Sequence, residues 1–428
     1  MDSVWKNTEI GRFPRLEGDV KTDVLIIGGG ICGALTAYRL NKAGVDYILA
    51  EAERVGSGTT GNTTAKITVQ HGLVYKKMID RLGEKQAKQY LSANRQALRY
   101  YMELDIPCGM EIKDSFVYST HSPEKLMDEV RAAQKLGMNA EFVKELPLPF
   151  ETAGAVMFPK QAQFNPMEFL SGITRGLNIY ENTRITELAP HFARYENGII
   201  RAKKIIVATH FPMLNKHGGY FLKLYQHRSY VIALENAQDV GGMYVSDKAE
   251  GLSFRNYNGL LLMGGGAHKT GKKGGGWHEL RKLAKEFYPH AAEKYFWAAQ
   301  DCMSLDSIPY IGHYSAGSKD IYTASGFNKW GITTSMAASK ILADMATGKT
   351  PQYSDVFLPH RPMYVPQLMV NGASAVLNLL TPTVPRCPHL GCALKWNPVE
   401  HSWDCPCHGS RFGEDGELME GPATGGLK

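Results

Sequence analysis

Two sets of residues in this chain have the types and spacing to do chemistry. The first lies near the C-terminus, where Cys387-Pro-His389-Leu-Gly-Cys392 is followed by Cys405-Pro-Cys407-His408-Gly-Ser410. Of seven cysteines, these four fall within 21 residues, while Cys32, Cys108 and Cys302 stand apart. Clustering of that kind points to a metal or redox site before a framework of structural disulfides. The pattern reads C-x-H, a spacer, then C-x-x-H. Two thiolates on one iron and two imidazoles on the other make a [2Fe-2S] ligand set, and the same side chains could also hold zinc tetrahedrally. The second set is Gly28-x-Gly30-x-x-Gly33 with Glu51, 18 residues after Gly33. Glycines there let the backbone approach a pyrophosphate, a following helix N-terminus stabilises its charge, and the carboxylate takes ribose hydroxyls.

Both sets need elements to hold them. Thr22-Asp-Val-Leu-Ile-Ile-Gly28 reads as a buried parallel strand, Ile31 to Ala43 as a helix and Val45 to Ala50 as a second strand, a βαβ opening that ends at Glu51. The run Arg54-Val-Gly-Ser-Gly-Thr-Thr-Gly-Asn-Thr-Thr-Ala-Lys66 is too polar for a core element and leaves room for a ligand to thread. Helical patterns from Leu82 to Met102 and Glu124 to Leu136 alternate with strand-like runs at Lys203 to Thr209, Ser229 to Leu234 and Gly259 to Met263, which predicts a mixed α/β chain. The glycine runs 264–266 and 274–276 read as tight turns or as backbone approaching a ligand. Ile321-Tyr-Thr-Ala-Ser-Gly326 and a helix from Gly331 to Ala346 repeat the strand-turn-helix pattern. Pro351, Pro359, Pro362, Pro366, Pro382 and Pro385 then mark a linker over 351–385, between a body of residues 1–350 and a segment of residues 386–428.

Composition sets bounds on what this can be. The chain has 428 residues, a net charge of +6, 43% hydrophobic and 21% charged residues, close to ordinary globular domains and unlike disordered or coiled-coil chains. Its basic excess contains no Lys/Arg block, so no nucleic-acid partner is expected. No apolar stretch reaches the ~18 residues of a membrane span, and residues 1–6 lack the basic-then-apolar start of a secretory signal. A cytoplasmic chain without an integral membrane segment is expected.

Gly28 to Gly33 with Glu51, the Ser57-Gly-Thr-Thr-Gly-Asn62 run, Ile205-Ile-Val-Ala-Thr209 and Ser325-Gly-Phe-Asn-Lys-Trp-Gly331 together resemble the FAD-dependent oxidoreductases of the D-amino-acid oxidase and glycine oxidase type, over about residues 20–350. The resemblance implies an α/β fold in which a Rossmann-like FAD-binding domain, assembled from discontinuous segments, carries a mixed-sheet substrate domain. It places Gly28, Gly30 and Gly33 at the pyrophosphate, Glu51 at the ribose, Ile185 near the adenine, Ala65 and Lys66 near the flavin, and Gly326, Trp330 and Gly331 around the ring. The C-terminal segment resembles Rieske [2Fe-2S] proteins, which makes Cys387, His389, Cys405 and His408 the cluster ligands and Cys392 and Cys407 a disulfide between the ligand loops. By the same resemblance Ser410 bonds a cluster sulfur, and Phe412 stands where a tyrosine often adds a second bond; the loss of that donor lowers the reduction potential. About 35 residues separate the oxidoreductase part from Cys387, so this small all-β segment reads as truncated relative to a full Rieske domain.

Joined, the two parts imply oxidation of an amine or amino-acid-like small molecule. Flavin would take two electrons and a [2Fe-2S] centre would pass them on singly to an external acceptor. His71, Tyr230 and Arg255 are the candidate catalytic residues. The stretch from Trp297 to Gly312 lacks the arginine with which amino-acid oxidases usually hold a substrate carboxylate, which favours an amine or N-substituted amine. Two other readings fit the same residues: an oxygen-dependent oxidase with a vestigial cluster site, and a redox-sensing or electron-carrier flavo-iron-sulfur protein.

Overall fold

A computed structural model of the chain describes residues 2–213, 218–274, 276–362, 368–369, 380–382 and 385–427. The apolar run Val20–Ile27 forms the centre of a mainly parallel sheet, with the strands in the order Tyr310–His313, Ile321–Ser325, Gly198–Val207, Val20–Ile27, Tyr47–Ala50, Ile179–Tyr180. Near-continuous hydrophobicity fits this position, because helices cover such a sheet on its faces. The helices Ile31–Lys42 and Gly331–Ala346 pack on each other, and most of the second is buried. Ile27 pairs with both Ala50 and Val207, so three parallel strands end level at Gly28, Glu51 and Ala208 and open one crevice.

A second sheet runs in the order Ala292–Ser304, Leu224–Glu235, Leu260–Lys269, Ser253–Tyr257, Met243–Ser246, Glu111–Ser119, Gly154–Gln163, Lys66–Ile67. It differs from the sequence reading in two places. The strand expected from Ser229 extends back to Leu224, because it pairs along its length with Ala292–Ser304. The glycines at 264–266 lie inside the strand Leu260–Lys269 and are neither a turn nor a ligand loop. A Cβ on Gly264 would lie 2.7 Å from Ser253 Oγ and one on Gly265 2.7 Å from Leu252 Cδ2, so these glycines serve close packing.

The C-terminal tail is a four-stranded antiparallel meander of Lys395–Asn397, Ser402–Asp404, Arg411–Phe412 and Leu418–Glu420. Its own buried cluster is small: Cys387, Cys392, Leu394, Cys405, Cys407, Phe412 and Ala423. A core that size does not stabilise a module alone, and the tail packs against the second sheet. Much of the expected linker over 351–385 lies outside the described residues. Among the described residues no helix is long and apolar enough to cross a membrane.

Candidate functional site

The crevice at the strand ends has the shape a dinucleotide needs. Gly28 has φ +108°, and a Cβ there would lie 2.6 Å from the Ala208 carbonyl oxygen. A Cβ on Gly33 would lie 1.9 Å from the Gly28 carbonyl oxygen, so the helix can approach the turn only through glycine. The helix Ile31–Lys42 starts at Gly30 with no side-chain cap and no acidic residue in its first turn, which leaves its positive end open to an anion. The Ile31 N–H donates to Thr60 Oγ1 at 3.1 Å, tying the polar 54–66 run to this turn. Glu51 accepts from Gly29 N–H at 2.5 Å and Glu53 N–H at 2.9 Å, and burial raises its carboxyl above the ordinary value.

A cavity of about 1720 Å³, open mouth included, runs from this crevice. Of the residues read from the sequence, Gly28, Gly30, Glu51, Ile185 and Gly331 line it, while Gly33, Ala65, Lys66, Gly326 and Trp330 are not part of its lining. The wall also holds Thr209, the end of the 205–209 run, and residues the sequence did not single out: His210 and Phe211 after the third parallel strand, Gln300 and Asp301, and Met419 to Thr424 from the tail. Level strand ends account for 209–211, since a ligand at Gly28 must also meet the loop after Val207. The sequence carries no local signal for 419–424. Burial raises the Asp301 carboxyl while Lys329 and His210, also on this wall, pull it back.

The three candidate catalytic residues lie off the lining. His71 is buried, with Nδ1 2.5 Å from Tyr90 Oη, Nε2 2.8 Å from the Thr68 carbonyl and its ring stacked on Trp330 at 5.2 Å. Burial brings its pKa down to about 3. Arg255 is fully buried and donates to the Thr64 and Ala65 carbonyls at 2.7 and 2.8 Å, with Ala65 in the left-handed region. Burial, then the Arg255 charge, lowers Lys66 to about 7. Tyr230 faces the tail, its hydroxyl 2.9 Å from His268 Nε2 and donating to Glu400 at 3.3 Å.

Beside that contact a buried ion network joins tail to sheet. Arg228 binds both oxygens of Glu400 and donates to Glu420 at 3.1 Å; Arg411 lies 3.0 Å from Glu400 and 2.9 Å from Asp404. Gln300 Nε2 donates to the Gly409 carbonyl at 2.8 Å.

The four expected cluster ligands, Cys387, His389, Cys405 and His408, all lie in the tail. Cys387 and Cys405 belong to one small buried cluster, and the His389 and His408 rings lie 4.9 Å apart. His408 Nδ1 is buried without a hydrogen-bond partner, a cost that ligation would remove. This donor set fits a [2Fe-2S] centre. The Ser410 hydroxyl oxygen accepts from the Ala423 N–H at 3.0 Å. The disulfide expected between Cys392 and Cys407 is not formed: both are free thiols, and with Cys405 they make a three-sulfur group within 4.8 Å.

The family described as FAD dependent oxidoreductase matches residues 23–345, and the Rieske [2Fe-2S] domain matches residues 379–428. The Bacillus subtilis (strain 168) protein YhfW, named for a Rieske 2Fe-2S iron-sulfur protein, is 34% identical over 100% of this chain and 97% of its own length. The gamma-glutamylputrescine oxidoreductase of Escherichia coli (strain K12) is 22% identical over 82% of this chain and 89% of its own. Among solved structures, glycine oxidase from Geobacillus kaustophilus matches with a TM-score of 0.69 at 18% identity, covering 80% of this chain and 100% of that one, a likeness of fold.

Proposed function

The chain belongs to the FAD-dependent oxidoreductase family and carries a C-terminal Rieske [2Fe-2S] domain, and from that premise we propose that it oxidises an amine or amino-acid-like substrate and sends the electrons through the cluster to an external acceptor. When bound, FAD supplies a two-electron acceptor and the [2Fe-2S] centre a one-electron carrier. The observation that carries the reading is Phe211. It lines the cavity, and its ring packs edge-on at 6.2 Å from His389 and 6.1 Å from His408. A side chain shared by the cavity wall and the two expected ligand histidines supports electron exchange between the sites.

Gly28, Gly30, Gly33, Glu51 and Ile185 would hold the nucleotide part of FAD, with Ala65, Lys66, Gly326, Trp330 and Gly331 around the flavin. Cys387, His389, Cys405 and His408 would hold the cluster. His71 and Arg255 act as positioning residues in this proposal: His71 steadies Trp330 at the start of the helix Gly331–Ala346, and Arg255 pins the 64–65 turn. Tyr230 positions Glu400. The division into 1–350, 351–385 and 386–428 belongs to the same proposal.

An amine or N-substituted amine is the favoured substrate. Arg361 does reach the stretch before Gly312, but its guanidinium is committed to Asp306 and to the Ile308, Pro309 and Leu358 carbonyls. A substrate carboxylate would have to break that set. The relative named for γ-glutamylputrescine agrees with an N-acylated diamine.

The test is anaerobic mixing of the iron-loaded flavoprotein with N-acyl diamines, glycine or proline, followed by absorbance and electron paramagnetic resonance. Flavin bleaching followed by a rhombic reduced-cluster signal is expected, with turnover on a one-electron dye. Bleaching that only oxygen reverses, with peroxide and no cluster signal, would make the protein an oxidase with a vestigial tail.

A further inference from the structure

The oxidoreductase part does not close the flavin cavity by itself. Met419, Glu420, Gly421, Pro422, Ala423 and Thr424 of the tail form part of its wall. This short segment is tethered to the cluster loops. The Ala423 N–H donates to Ser410 Oγ at 3.0 Å, and the Cys405 N–H donates to the Ser410 carbonyl at 2.8 Å. From the other side, Phe211 belongs to the cavity wall and touches both cluster imidazoles.

We infer that residues 419–424 are part of the FAD-binding site and that, through them and Phe211, FAD and the [2Fe-2S] cluster bind cooperatively. The inference rests on the assignment of the cavity to FAD and of the tail to the cluster. Its physical basis is the tail's core, where four of the seven buried members are the cysteines of the ligand loops. A module that depends on its metal for order loosens when the metal leaves. The Ser410–Ala423 tether then loosens too, and the cavity loses a wall. Linkage makes the effect reciprocal: whatever the cluster adds to FAD affinity, FAD adds to cluster affinity.

The experiment uses the full chain. FAD dissociation constants are measured by flavin fluorescence on protein carrying its cluster and on the same protein after anaerobic iron chelation, with far-ultraviolet circular dichroism as a check on the fold. In parallel, iron loss to a chelator is timed with and without FAD. Cluster removal is expected to weaken FAD binding about tenfold, and FAD removal to speed iron loss. The variant F211L, which keeps every cluster ligand, should bind FAD more weakly and lose most of the coupling at unchanged iron content; where chelation unfolds the chain, the effect of FAD on the rate of iron loss in the parent and in F211L decides the matter. Equal FAD affinity with and without iron, or an unchanged coupling in F211L, overturns the inference and leaves the electron-relay reading standing. A chain that takes up FAD but no iron overturns both.

Discussion

A methyl group on Gly33 would sit 1.9 Å from a backbone oxygen of the same turn, and no side-chain rotation relieves a clash with backbone. The variant G33A is therefore expected to purify without flavin and with a lowered melting temperature, read from the ratio of absorbance at the flavin and protein bands. The spacing of Gly28, Gly30 and Gly33 was legible in the sequence because a contact within one turn demands Gly33, and Gly28 sits where the next parallel strand ends. His71 was harder. Its place beside a polar run suggested chemistry, yet its partners Tyr90 and Trp330 come from two distant helices, a packing that no local pattern records. With its pKa brought down to about 3 by burial, His71 stays neutral from pH 5 to 8 and contributes no limb to a rate profile there. H71N is expected to lower kcat through the displaced Trp330 while leaving the shape of the kcat/KM pH profile over that range unchanged. Loss of a limb near neutrality in this variant would make His71 a proton-transfer group instead.

At the scale of elements, the strand Leu224–Glu235 presents Gln226, Arg228 and Tyr230 on one face, as the two-residue period of a strand requires. All three meet the tail or its neighbours: a Cβ on Gly409 would touch Gln226, Arg228 holds Glu400 and Glu420, and Tyr230 bonds Glu400. Removing Arg228 leaves Glu400, whose side chain is 1% exposed, without its main partner. R228M is expected to cost about 3–5 kcal/mol in tail docking and to open the tail to limited proteolysis while the flavin domain stays folded. An unaltered digestion pattern would show that the network does not hold the tail. The polar residues at 226 and 228 are also why hydrophobic patterning starts this strand at Ser229. They look like loop from the sequence because the surface that buries them lies nearly two hundred positions away. The βαβ opening and the helix Gly331–Ala346 were legible for the opposite reason, since their pattern is set by burial within a sheet and its covering helices.

Across the whole molecule, the tail and the oxidoreductase part share one charged interface, which gives the protein an acid-sensitive joint. Burial alone would push the Glu400 carboxyl up, but Arg228 and Arg411, with the Tyr230 hydroxyl, hold it down to about 2 from an ordinary 4.5. His268 bonds Tyr230, Asn397 lies 3.5 Å from Glu400 on its own turn, Glu420 shares both arginines and Asp404 takes Arg411, so Glu400 faces two guanidinium groups that two other carboxylates also share. A carboxyl depressed on folding adds stability that is fully present above its unfolded value and disappears as pH falls through its folded one. The window therefore runs from about pH 4.5 down to about pH 2, and at neutrality the contribution is of order 3 kcal/mol. E400Q removes the titration but keeps the shape. Its urea midpoint should lie below that of the parent at pH 7, and the gap should narrow steadily once the pH drops under about 4.5. Subtracting the two midpoints cancels acid damage to the cluster, which both proteins suffer alike. A gap that stays constant from pH 7 to 3 would mean that Glu400 is not ionised against Arg228 and Arg411, and the joint between the two redox modules would then rest on packing alone.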